Sequence, residues 1–310
     1  MLSPLTAVIE KSSAAMPGAS PSDRPSHGVS CRRIRPSDLG AIVDLLCEGF
    51  PTRTRSYWLD GLRFITALAS PGEVPRFGYV LSTGKELVGV LLLIFSGNAN
   101  PQSARCNVSS WYVRPAYRAY AAHLVTLAIK STAATYINIS PAEHTLPIIE
   151  AQGFVKAIQG CFLGLPALSL RGGGTVVSTN PDQWSKSTRM SAEDECLLRE
   201  HAMSGCITLW LETSDGGYPF IFRKRVLRLG RLPCAMLLYC RSLEDLERFA
   251  GPIGRALIRQ GLPLMFAGTD RPLRGIPGKH FPGKMPIYYK GSVKPRSGDL
   301  SYTEASVFGI

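Results

Sequence analysis

A strand–helix–strand order occurs twice in this chain at one spacing, and no other feature restricts the fold as much. The strand ending at Val113 is followed 22 residues later by a strand starting at Thr135, and the strand ending at Cys240 is followed 22 residues later by one starting at Leu262. An offset of 127 residues relates the two units and points to a structural duplication. At 310 residues the chain is long enough for two ordinary domains.

The other elements agree with that reading. Pro36-Ser37-Asp38 caps a helix with Leu39, Ile42, Val43, Leu45, Leu46 and Phe50 on one face, and Trp58 to Leu68 repeats the helical spacing. Phe77 to Leu81 and Leu87 to Phe95 read as strands joined by the turn Ser82-Thr83-Gly84-Lys85. Arg105 to Val113 is a strand, 119–130 a helix, Thr135 to Ile139 a strand, Pro141 to Gln152 a helix and Phe154 to Leu165 an extended segment. In the second half, Ser191 caps a helix to Met203. Strands at Ile207 to Glu212, Pro219 to Arg225 and Pro233 to Cys240 follow, then a helix from Leu243 to Gln260 with a kink near Gly251-Pro252, and a strand from Leu262 to Ala267. The expected class is α/β with a mixed sheet. The expected division is a disordered leader 1–30, a domain 31–170, a linker 171–187 rich in Gly and polar residues, and a domain 188–310.

Composition excludes several classes. With 45% hydrophobic and 19% charged residues the chain is neither disordered nor fibrous, and its longest apolar run, Leu87 to Phe95, is too short to span a membrane. The eight cysteines include no close CxxC pair and the five histidines are scattered, so no metal is expected and the thiols read as reduced and cytoplasmic. The net charge of +12 is uneven: Arg271 to Arg296 carries seven Lys/Arg and no acid. Its many Gly and Pro suggest an irregular loop offering Lys279, His280, Lys284 and Lys290 to an anionic substrate or an acidic carrier protein.

The stretch Trp111-Tyr112-Val113-Arg114-Pro115-Ala116-Tyr117-Arg118-Ala119-Tyr120-Ala121-Ala122-His123 carries most chemical information. A strand turns into a helix that opens on small residues, and amides at a helix start favour a pyrophosphate. Here the sequence resembles the GNAT family of acyl-CoA N-acyltransferases, whose strand leads into V-x-P-x-x-R and a glycine-rich turn. Val113 to Arg118 matches the lead-in, but Ala121 and His123 replace small turn residues, so the turn is degenerate. A second block, Tyr136 to Pro141 with Pro147 to Phe154, resembles the family's strand–helix ending in x-E-x-x-G-F, although Ile149 stands where many members carry a Tyr acid.

The resemblance implies two tandem GNAT-like domains and transfer of an acyl group, acetyl in the first instance, from acyl-CoA to an amine by direct attack. It further implies that the backbone of Trp111 to Val113 polarises the thioester and holds the pantetheine. Arg118 with the amides of Ala119, Tyr120, Ala121 and Ala122 would hold the pyrophosphate, and Asn138 would bond the pantetheine. Candidate proton carriers are Tyr112, Ser140, Glu143 and His144, each with a structural alternative: a core aromatic, a helix cap, a solvated first-turn carboxylate and a surface histidine. In the second copy Glu244, Asp245 and Glu247 stand where phosphate would sit, so only the first half should bind CoA. Two rival functions fit the same elements: a catalytically silent binding module for an acidic partner, and a tRNA-dependent aminoacyltransferase. The second is disfavoured because the chain lacks the interleaved aromatic and basic pattern of a nucleic-acid surface.

Overall fold

The computed structural model describes residues 28–68, 74–84, 86–96, 104–131, 134–173, 175–184, 187–227 and 232–309. The expected leader up to His27 and Lys85 of the expected turn lie outside these residues. The first half runs β1 (Val29–Arg33), α1 (Leu39–Gly49), α2 (Arg55–Ala67), β2 (Gly78–Thr83), β3 (Glu86–Ser96), β4 (Arg105–Val113), α3 (Ala121–Ala128), β5 (Thr135–Asn138), α4 (Leu146–Ala151) and β6 (Val155–Gly164). The second runs β7 (Val176–Ser178), α5 (Pro181–Trp184), α6 (Ala192–Met203), β8 (Ile207–Thr213), β9 (Gly216–Val226), β10 (Pro233–Cys240), α7 (Leu243–Arg248), α8 (Ala250–Arg259), β11 (Leu264–Gly268), β12 (Gly278–Lys290) and α9 (Glu304–Val307).

Among the described residues twelve strands join one mixed sheet in the order β1-β2-β3-β4-β5-β12-β6-β11-β10-β9-β8-β7. Strand β3 shows why both faces are covered. Leu91, Leu93 and Phe95 pack with Leu124 and Val125 of α3, while Val90, Leu92 and Ile94 pack with α1 and α2. In the second half α7 and α8 cover Ala235 and Leu237, and α6 covers Cys234, Met236 and Leu238. The helix expected from Leu243 to Gln260 breaks at Phe249, ahead of Gly251-Pro252. A Cβ on Gly254 would lie 2.0 Å from the backbone nitrogen of Ala167, so α8 packs directly on the 3-10 turn Pro166–Leu168.

A constant spacing also occurs in the ladder. Cys106 pairs in parallel with Tyr136, and Cys234 with Leu264, so an offset of 128 superposes both pairs, one more than the sequence spacing suggests. The same offset relates two β-bulges: Ser110 is skipped in the β3–β4 pairing and Leu238 in the β9–β10 pairing.

Two expectations are corrected. The segment from Arg271 to Arg296 is not an irregular loop, because its middle is β12, paired with β5 on one side and β6 on the other. The Gly283 to Pro286 stretch lies inside a register shift of the β6 pairing, between Pro282 and Ile287, which hides the alternation that would betray a strand. The 171–187 stretch is likewise more than a linker, since β7 pairs with β8 and Trp184 is fully buried.

Candidate active site

Strands β4 and β5 pair over only three residues, Arg105 to Asn107 against Thr135 to Ile137, and then diverge. At the divergence Ser110 takes φ +31°, a left-handed conformation that a serine adopts at a cost of about 1–3 kcal/mol. The strained bulge re-aims the backbone of Ser110 to Tyr112 along the open edge of β4. Beyond Val113 the chain enters a 3-10 helix, Pro115–Tyr120, and continues directly into α3.

This helical turn begins earlier than the residue-119 start read from the sequence. The amide of Tyr117 donates to the Arg114 carbonyl at 2.9 Å and that of Ala121 to the Arg118 carbonyl, and within the continuous 3-10 run those of Ala119 and Tyr120 bond three residues back, so the amides of Ala119, Tyr120 and Ala121 expected to hold a pyrophosphate are engaged within the turn. Arg118, Ala119, Tyr120 and Ala122 are exposed, Ala121 is half-buried, and the larger His123 is also exposed. The corner is therefore open to solvent and carries no acidic residue in the first turn of α3.

The other candidates separate. Trp111 is half-buried against the α3 core, and its indole Nε1 is buried without a hydrogen-bond partner among the described residues; Val113 is buried. The Tyr112 hydroxyl donates to Glu48 Oε1 at 2.9 Å, and burial, with the Glu48 carboxylate beside it, pushes its pKa up. Arg114 also holds Glu48, with Nε at 3.0 Å from Oε2, and keeps that carboxyl below its usual range. Asn138 is half-buried and turns back on its own chain, its Oδ1 accepting the Ser140 amide at 3.3 Å. Glu143 and His144 are exposed in the 3-10 turn ahead of α4.

Ser140 alone of the proton-carrier candidates reaches the divergence, and it does so through a residue that sequence reasoning missed. Its Oγ donates to Oε1 of Glu304, while Ser109 Oγ donates to Oε2 at 2.6 Å. The Ser110 amide bonds the same carboxylate, and the Glu304 amide donates to Asn107 Oδ1 at 2.6 Å. Asn107 in turn donates to the Ile137 carbonyl at 3.0 Å, tying β4 to β5 where they part. Burial pushes the Glu304 carboxyl up, opposed by its hydrogen bonds to Ser109, Ser140 and Ser110. The signals were Asn107 and Ser109, polar residues inside an otherwise buried strand, and a lone acid in the apolar end Glu304 to Phe308.

The chain around Glu304 is anchored to both halves. Asp299 pairs with Arg105 at 2.7 Å, and Val307 and Phe308 pack with Trp58 and Leu62 of α2. His201 of α6 accepts the Tyr302 amide at Nε2, 3.2 Å, and its Nδ1 meets the Leu197 carbonyl at 2.8 Å. Nε2 must then be the bare nitrogen, so the ring is neutral with its proton on Nδ1.

The equivalent place in the second half is filled. Gly298 to Leu300 lies along β10 beyond its pairing with β11: the Cys240 amide donates to the Gly298 carbonyl at 2.8 Å, and the Leu300 amide to the Leu238 carbonyl at 2.6 Å. Glu244 and Asp245 occupy the first turn of α7. The basic residues expected to face an anion are largely engaged: Lys290 Nζ bonds the Gln152 carbonyl at 2.8 Å, a His280 ring nitrogen the Thr269 carbonyl at 3.0 Å, and Lys279 lies 5.5 Å over the Phe281 ring.

No family model matches the sequence, and no curated protein matches it. Solved structures do match. A GCN5-related N-acetyltransferase from Anabaena variabilis is similar at 11% identity, with 85% of this chain and 72% of that one covered and a TM-score of 0.55. One from Kribbella flavida is similar at 10% identity, covering 85% and 71%, TM-score 0.50. A candidate acetyltransferase from Pyrococcus horikoshii is similar at 12% identity, covering 92% and 96%, TM-score 0.51. The fold is that of the GCN5-related N-acetyltransferases, the class anticipated from the Val113 to Arg118 lead-in.

Proposed function

We propose that this chain is an acyl-CoA-dependent N-acyltransferase of two GNAT-like halves, 31–170 and 188–310, of which only the first binds CoA. The observation that carries the reading is the strained bulge at Ser110, set where β4 and β5 diverge toward an exposed helix start. The pantetheine lies along β4 with the Tyr112 amide and Ser110 carbonyl toward it; at the offset of 128 these correspond to the Cys240 amide and Leu238 carbonyl, which bond Gly298 to Leu300 in the second half. Arg118, Ala119, Tyr120 and Ala122 face the pyrophosphate, with Ala121's side chain supporting the turn from below. Asn138 borders the same opening on β5.

An amine attacks the thioester carbonyl, whose oxygen is polarised by a backbone amide of Trp111 to Val113, and the C–S bond breaks to release the CoA thiolate. A small-metabolite amine or an amino sugar is the acceptor class that fits, in a reducing cytoplasmic setting consistent with eight free cysteines. Among the described residues no helix is long and apolar enough to cross a membrane, and no His/Cys/Asp/Glu cluster suits a metal.

Thermal unfolding with acetyl-CoA tests the reading. A ligand at about 100 times its Kd stabilises the native state by about 2.7 kcal/mol. The shift is expected in the native protein and expected to vanish in Ala122→Asp, whose carboxylate opposes the pyrophosphate at an exposed position. Absence of any shift in the native protein would overturn the proposal.

A further inference from the structure

The geometry points to a proton relay in which the Ser140 hydroxyl takes the proton of the attacking amine and passes its own to Glu304. The inference rests on the acyl-transfer reading above. Ser140 is exposed at the mouth of the β4–β5 divergence, whereas Glu304 is 4% exposed beneath it, so the hydroxyl connects solvent-side chemistry to a buried carboxylate. A carboxylate offers about four acceptor positions. Ser109, Ser110 and Ser140 supply three donors, all from uncharged groups, and among the described residues no cation pairs with Glu304. Buried without such a partner, it gains by accepting a proton.

The step balances. The amine nitrogen forms the C–N bond as the C–S bond breaks; the amine proton moves to Ser140 Oγ, the Ser140 proton to Glu304 Oε1, and the proton then returns to the thiolate sulfur, giving amide and free CoA. Titratable and charged groups flank Glu304 along its own segment, where His201 meets the Tyr302 amide and Arg223 the Ser306 carbonyl. From α2 the Tyr57 phenol faces it, pushed up by burial and by the Glu304 charge, with Arg53 and Arg223 acting on that phenol; the Asp299–Arg105 pair lies along the same segment. From β4 and the end of β5, Asn107, Ser109, Ser110 and Ser140 bond it.

The test uses the full chain with acetyl-CoA and hydroxylamine, a small acceptor that needs no dedicated pocket, reading acetohydroxamate above the uncatalysed rate and acetyl-CoA binding by calorimetry. Glu304→Gln is expected to lower kcat about 100-fold with acetyl-CoA affinity changed less than threefold, and to leave in the pH–rate profile only the acid limb set by protonation of hydroxylamine itself. Ser140→Ala is expected to do the same, and the double variant to be no slower than either single one. Ser140 is exposed, so this variant carries the test if Glu304→Gln fails to fold. Variants that keep the native rate and acid limb would overturn the relay, as would a native protein that binds acetyl-CoA but forms no hydroxamate. A native protein that does not bind acetyl-CoA overturns the acyl-transfer reading, and the relay with it.

Discussion

His201 shows how one side chain can set a pH limit on the molecule. Burial depresses its pKa below the ordinary 6.5, and both ring nitrogens are committed in the neutral form. A base with a lowered folded-state pKa binds fewer protons folded than unfolded, so its contribution is intact above about 6.5 and is lost as pH falls below that value. The melting temperature should therefore drop between pH 7.5 and 5.5, and His201→Gln should flatten that drop while lowering stability at pH 7.5. A second prediction concerns Ser110. Glycine adopts φ +31° without strain, so Ser110→Gly should keep the fold and acetyl-CoA binding, whereas Ser110→Val should cost about 1–3 kcal/mol in urea unfolding. At this scale Ser140 was legible as a candidate because it sits between a strand and a helix. Glu304 was not, since its partners Ser109 and Asn107 lie almost two hundred residues away in sequence and only the fold brings them together.

Elements were read well where a single face is apolar. Helix α1 buries Ile42, Val43, Leu45 and Leu46, all from the stripe visible in sequence. The hairpin β2–β3 and the strands β4, β5, β10 and β11 also fell near their expected places, because alternation and turn residues are local signals. Strand β12 did not, because Pro282, Gly283 and Pro286 are punctuation that reads as loop; its partners β5 and β6 supply the ladder from far away in the chain. Close helix packing makes a further prediction at this scale. Gly254→Leu must displace the backbone at Pro166 and Ala167 and should destabilise by about 3 kcal/mol, at the upper end for overpacking, in thermal or urea unfolding.

For the whole molecule the repeat predicts a stoichiometry. With the β10 edge taken by Gly298 to Leu300, calorimetry should find one acetyl-CoA per chain; two equal sites would refute the assignment of the second half. The central position of β12 also bears on how the chain is made. Every other strand of the sheet emerges from synthesis before it, yet β5 and β6 have no mutual pairing and meet only through β12. The two wings can gather separately, but the seam between them must wait, exposing unpaired strand edges to neighbouring nascent chains during that interval. Assembly of this protein should accordingly be most vulnerable to aggregation late in translation, and most dependent on chaperones at that moment.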